Sequence, residues 1–209
     1  MELLSSSEKR RLLKELRSLK GQFGPVPLTN LTLSALEPKD YDVLAVANLI
    51  YDPNGHIVLV RRVETPDEWV IPSGVVDPGE HILDTVARES KEETGLDVKV
   101  SSIVRIGLAP EFSPPAFRAV NRSRFGKESI GLLFVNFVST GVGIPDCSKD
   151  PSKNILEVRA FAKVPFDLIT HVYKVIFVQQ GLFSADLAAY PPVEFSPSQP
   201  IWVGGNRNH

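Results

Sequence analysis

The sequence predicts an α/β fold (α+β in stricter usage), with one sheet covered by helices and a helical extension in front. Three observations carry this. Apolar runs of strand length recur at 43–51, 56–62, 98–108, 130–138 and 155–162. Two stretches, 77–94 and 165–180, lie between and after them as predicted helices, and a sheet interleaved with helices buries its faces by packing them together. A further helical stretch, 7–20, precedes them all.

In chain order, the first helix presents Leu12, Leu13, Leu16 and Leu19 as one stripe, and Lys9, Arg10, Arg11, Lys14, Arg17 and Lys20 make the rest basic. Such a stripe docks on the domain or on a second subunit, the latter a homodimer; a membrane surface or an acidic partner is the weaker reading. Glu2, Glu8 and Glu15 argue against a mitochondrial presequence, a class poor in acids. Residues 21–38 read as a connector rich in turn formers. Asp52-Pro53-Asn54-Gly55 between two apolar runs marks a hairpin. A short strand at 69–71 is expected to end at Pro72, with a glycine-bearing loop after it. Pro165 suits the first turn of the last helix. The division expected is an extension at 1–39, a main domain at 40–180 and a proline-containing, irregular tail at 181–209.

Composition narrows the function. With 43% hydrophobic and 23% charged residues the chain reads as globular, and its net charge of −2 gives no overall basic field for nucleic acid or anionic membrane. A polyanionic substrate then needs local cations or metal. The one cysteine, Cys147, lies in a polar stretch and reads as an inert loop thiol, in keeping with a cytoplasmic location. The longest uncharged stretch, 129–145, contains Asn136, Ser139 and Thr140, so it reads as strand and loop rather than a membrane span.

The chemistry concentrates at 74–96, GVVDPGEHILDTVARESKEETGL. On a helix from 77 to 94, Ile82, Leu83, Val86 and Ala87 form an apolar face, and Glu89, Glu92 and Glu93 cluster beside it with Arg88 adjacent. Carboxylates this close repel unless a cation sits among them, and oxygen ligands of this density suit Mg²⁺ or Mn²⁺. Gly74 permits close backbone approach to a ligand, and its carbonyl is a further metal candidate. Taken alone, a run of charges on a helix is a solvated face. Asp77 and Glu80 with Pro78 between them likewise read as a capping box. The joint spacing overrides the bland reading: Gly74, five residues, Glu80, seven residues, Arg88-Glu89, two residues, Glu92-Glu93, one residue, Gly95 and an apolar Leu96.

This pattern resembles the box of the Nudix hydrolase family (MutT-like). The resemblance implies an α/β/α sandwich around a mixed sheet, with the box forming the active-site loop and helix. It also implies hydrolysis of a diphosphate bond in a nucleoside-diphosphate-linked compound, such as ADP-ribose or a nucleoside di- or triphosphate. Mg²⁺ or Mn²⁺ would be held by Glu89, Glu92 and Glu93 with the Gly74 carbonyl, while Arg88 orients Glu89; Glu80 and Gly95 are structural. Glu89 is the first choice of general base and Glu92 the next, with Glu111 and Glu128 as loop candidates. A glutamate that often opens the strand after the last loop is replaced here by Asn154. Ser90 stands where the family prefers an aliphatic residue, and its hydroxyl is expected to bond back to the carbonyl four residues earlier. The remaining loop, 110–128, carries Arg118, Arg122, Arg124 and Lys127 among Phe112, Phe117 and Phe125. The three arginines are candidates to bind substrate phosphate; a solvated loop pinned by phenylalanines is the equal alternative. Two further readings are a non-catalytic nucleotide-binding module and a hydrolase of non-nucleotide diphosphates.

Overall fold

The computed structural model describes residues 3–26, 28–29, 31–112, 118, 121–123, 125–148, 150–169, 173–174 and 176–177. The expected tail at 181–209 lies outside these. Helix α1 spans Ser6–Phe23, opened by Ser5, whose hydroxyl accepts the Glu8 N–H at 3.2 Å, and closed by Gly24 at φ 84°. Its stripe is buried, Leu12 and Leu16 completely.

Within the connector lie a two-residue strand β1 (Leu28–Thr29) and a 3₁₀ turn at Pro38–Asp40. Strand β2 (Val43–Tyr51) turns into β3 (Ile57–Arg62) through the expected hairpin, where Asp52 Oδ1 accepts the N–H of Asn54 and of His56, each at 2.8 Å. Strands β4 (Thr65–Val70) and β5 (Ser73–Val75) follow. Pro72 does not end the pairing, because its carbonyl accepts the Asn48 N–H at 2.8 Å and carries the chain from one strand into the next. Gly74 therefore sits in a strand rather than a loop. Then come helix α2 (Ile82–Thr94), β6 (Asp97–Phe112), β7 (Ile130–Val142) and β8 (Ile155–Phe161).

The sheet is mixed, with order β1-β6-β7-β2-β3-β4; β5 also pairs with β2, and β8 with β3. Pairs β1–β6 and β2–β7 are parallel and the others antiparallel. On one face the α1 leucines and Ile82 and Val86 of α2 pack with Leu44, Val46, Leu133, Val135 and Phe137. On the other, Ala47, Leu49, Leu59, Trp69 and Ile71 pack with Val164, Phe166, Ile176 and Phe177. The expected sandwich is thus present, and α1 belongs to one of its cores. The stripe that suggested a second subunit is consumed inside the chain.

Two helix boundaries differ from expectation. Gly79 adopts φ 86°, which a right-handed helix cannot hold, so 77–80 forms a turn and α2 starts only at Ile82. The residues after Pro165 form a 3₁₀ turn at Phe166–Leu168, and Ile169 then bridges to Trp69. Tyr173, Lys174, Ile176 and Phe177 are helical, and the rest of that expected helix lies outside the described residues.

Candidate active site

Strand β5 and helix α2 bring the box together. The side of α2 turned to the sheet carries Ile82, Val86, Ser90 and Thr94, while Ala87, expected among them, is exposed. Ser90 does not bond back along the helix as expected. Its hydroxyl accepts the Asn48 amide at 2.9 Å, and the Asn48 carbonyl oxygen accepts the Ser139 hydroxyl at 2.8 Å. A buried polar relay across β2 and β7 thus replaces the aliphatic contact, and all three members are satisfied.

Arg88 organises the carboxylates. Glu80 takes it in a two-point grip, from Nε at 2.8 Å and from a terminal nitrogen at 2.9 Å, and the Val75 carbonyl accepts a further bond at 3.2 Å. Its other terminal nitrogen reaches Glu89 at 2.7 Å and Glu92 at 3.5 Å. The Arg88–Glu89 contact is thus present, and Glu80 anchors Arg88. Gly74 lies directly against Glu89: a Cβ there would overlap the carboxylate. Gly95 closes α2 in the left-handed conformation at φ 73°, close under the Asp146 carbonyl.

Glu93 takes a different direction. It is buried, pairs with Arg62 of β3 at 2.6 Å and accepts the Ser73 N–H at 3.0 Å. Burial pushes its carboxyl up to about 7 against the pull of Arg62 and Ser73, with Glu89 and Asp150 adding repulsion. Burial also raises Glu89 above the ordinary carboxylate range, against Arg88, and the charge of Glu92 adds to the rise. The cluster thus holds more negative charge than its two arginines compensate at low cost. Arg62, Ser73 and Asn48 were not singled out in the sequence. A strand-end arginine and a serine between proline and glycine carry no local signal of pairing with a helix some twenty to thirty positions away.

Arg118 and Arg122 are exposed, Arg122 is held by Glu128, and Arg124 falls outside the described residues. Glu111 is exposed at the end of β6. Phe125 packs on Val43, Ala109 and Ile130, and Lys127 pairs with Asp42 at 2.6 Å, so this end of the loop is pinned as one reading expected. The N–H of Asn154 bonds Asp150, whose carboxylate ties the turn before β8. Cys147 is half-buried beside Val60, Val70 and Ile155.

The model of the NUDIX domain matches residues 42–177, a span that contains the whole box. The chain belongs to the Nudix family. Among curated Nudix relatives, an ADP-ribose pyrophosphatase from Methanocaldococcus jannaschii is 36% identical over 67 residues, covering 31% of this chain and 40% of that protein. The m7GpppN-mRNA hydrolase NUDT17 of Xenopus laevis is 37% identical over 76 residues, 34% of this chain and 26% of that protein. The chain therefore spans well under half the length of these two relatives. Among solved structures, a mutator MutT protein from Bacillus halodurans matches at 23% identity and TM-score 0.49, covering 68% of this chain and 83% of that one. Nudix hydrolases generally use divalent metals. Among the described residues no three acidic, histidine or cysteine side chains converge as a metal shell; Arg88 holds Glu89 and Arg62 holds Glu93.

Proposed function

We propose that the protein is a divalent-metal-dependent hydrolase that cuts a diphosphate bond in a nucleoside-diphosphate-linked compound. The observation that carries this is the box as folded: Glu80 and Arg88 present Glu89 against Gly74, with Glu92 and Glu93 on the same helix. The donor chemistry fits a divalent cation. These are hard oxygens, and burial raises the carboxyls of both Glu89 and Glu93, so a cation among them would favour their charged forms. Glu89, Glu92 and Glu93, with the Gly74 carbonyl, would hold Mg²⁺ or Mn²⁺. When bound, the ion supplies neutralisation of phosphoryl oxygens and a more acidic water.

The chain's own groups supply the rest. Arg88 keeps Glu89 oriented, and Glu89 is the group to accept the proton of the attacking water. We place the substrate's distal portion near the 110–128 loop, where Arg118, Arg122 and Arg124 are the cations to meet it. The two relatives act, by name, on ADP-ribose and on an mRNA cap; both reactions fall in the proposed class, and a small nucleotide derivative is favoured here because the chain lacks a basic field for RNA. A cytoplasmic enzyme is consistent with the absence, among described residues, of a helix long and apolar enough to span a membrane.

The test is phosphate release from a panel of nucleotide derivatives with Mg²⁺ or Mn²⁺ and a coupled phosphatase, on wild type and Glu92→Gln. Turnover of at least one compound, reduced on the order of 10²-fold in Glu92→Gln, is expected. Tight binding of a nucleotide with no turnover by wild type would instead favour a binding module.

A further inference from the structure

The box carboxylates of α2, Glu89, Glu92 and Glu93, sit in its last two turns, the end at which the helix macrodipole disfavours negative charge, while Asp84 lies in the first turn. The other end lacks the usual remedy, since its capping residue is His81, whose side chain makes no cap bond. The missing acceptor comes from α1. Glu15 Oε1 accepts the Ile82 N–H at 2.7 Å, and its other oxygen lies 3.2 Å from the His81 ring nitrogen Nδ1. One turn or two earlier on the same helix, Glu8 accepts the Gly79 N–H at 3.2 Å and Arg11 donates to the Glu80 carbonyl at 2.8 Å. Arg11 is itself bonded to Glu8 at 2.8 Å and to Glu15 at 3.4 Å, so the three side chains hold one another in place.

Positions 8, 11 and 15 share one face of α1, and together they grip residues 79 through 82. That short segment carries Glu80, which holds Arg88, which holds Glu89. Leucine burial already fixes α1 to the sheet; these polar contacts fall on the box loop.

We propose that α1 is a positioning element of the active site, with Glu15 serving as the N-cap of the catalytic helix and Arg11 and Glu8 setting the segment that aims Arg88 at Glu89. None of the three touches a reacting atom; each acts through backbone. This rests on the reading of the α2 carboxylates as a metal-hydrolase site.

The experiment uses the full chain with Glu15→Ala, Glu15→Gln and Arg11→Gln. Three quantities are read: amide hydrogen exchange at Ile82 by NMR, Mn²⁺ affinity by paramagnetic resonance, and kcat and KM on whichever nucleotide wild type hydrolyses. In Glu15→Ala, Ile82 exchange rises about tenfold, Mn²⁺ binding weakens and kcat falls about tenfold, with KM within about twofold. Glu15→Gln, which keeps an oxygen for the Ile82 N–H, restores most of each. Arg11→Gln lowers kcat with little change at Ile82, and it supplies the comparison should Glu15→Ala fail to fold. Unchanged exchange in Glu15→Ala overturns the cap. Raised exchange with unchanged Mn²⁺ affinity and kcat overturns the positioning role and leaves a contact of stability alone. A wild type that neither binds Mn²⁺ nor turns over any nucleotide sinks the hydrolase reading instead, while exchange at Ile82 still decides the cap.

Discussion

Replacing Gly74 by alanine separates the chemistry of the site from the stability of the fold. Its φ lies outside the left-handed region, so the backbone of β5 accepts an alanine. The obstacle is the Glu89 carboxylate, which a Cβ would overlap. To reach an ordinary contact of about 3.5 Å the carboxylate must retreat by more than about 1 Å. Because it is the far end of a flexible side chain, it can do so at little cost to folding. The retreat breaks the 2.7 Å bond from Arg88 and takes Glu89 off the line on which it would meet the water. Misplacement of a reacting group by about 1 Å costs on the order of 10² in rate, or about 2.7 kcal/mol of barrier. Gly74→Ala should therefore lose about a hundredfold in kcat for phosphate release, while its unfolding free energy stays within about 1 kcal/mol of wild type. Both are read on one preparation, by the coupled phosphate assay and by thermal unfolding. A variant with kcat within about threefold of wild type would refute the claim that Gly74 is a glycine for the sake of Glu89.

Ser90→Ala strands the buried Asn48 amide and should cost about 1–3 kcal/mol in urea unfolding; a loss under about 0.5 kcal/mol would mean the relay is dispensable. Asp150→Asn tests the turn before β8. Burial works to raise the Asp150 carboxyl, but bonds from the Ser152 hydroxyl and from the N–H groups of Ile155, Ser152 and Asn154 outweigh it and hold it below its ordinary value. With a depressed folded pKa, the stabilisation is complete above the unfolded value of about 3.9 and is lost as pH falls through the lower folded value. The wild-type advantage over Asp150→Asn, about 2 kcal/mol at pH 7, should thus shrink on acidification below about pH 4; a gap independent of pH would contradict the assignment.

Much of the site was legible along the chain. Gly74, Glu80, Arg88, Glu89, Glu92, Glu93 and Gly95 lie within one short segment, and for Arg88, Glu89, Glu92 and Glu93 helix geometry relates neighbours three and four apart without reference to the rest of the fold. The leucine stripe of α1 and the Asp52–Gly55 turn were legible for the same reason, since each is a local pattern. The start of α2 was misread because Pro78-Gly79 serves a capping box and a tight turn equally well, and only the φ of Gly79 separates the two. In the loop at 110–128 the sequence marks the arginines as candidates for substrate phosphate, yet Arg122 and Lys127 are already paired, with Glu128 and Asp42.

What the sequence determined by itself is therefore the set of candidate residues in the box, because their spacing within one short segment is a local pattern. The tertiary structure decided what supports it. Glu15 reaches Ile82 across 67 positions, Asn48 reaches Ser90 across 42 and Ser139 across 91, and Arg62 reaches Glu93 across 31. At such separations the chain imposes no distance; the pairs meet because burying the apolar faces of β2, α1 and α2 brings these polar groups within reach of one another.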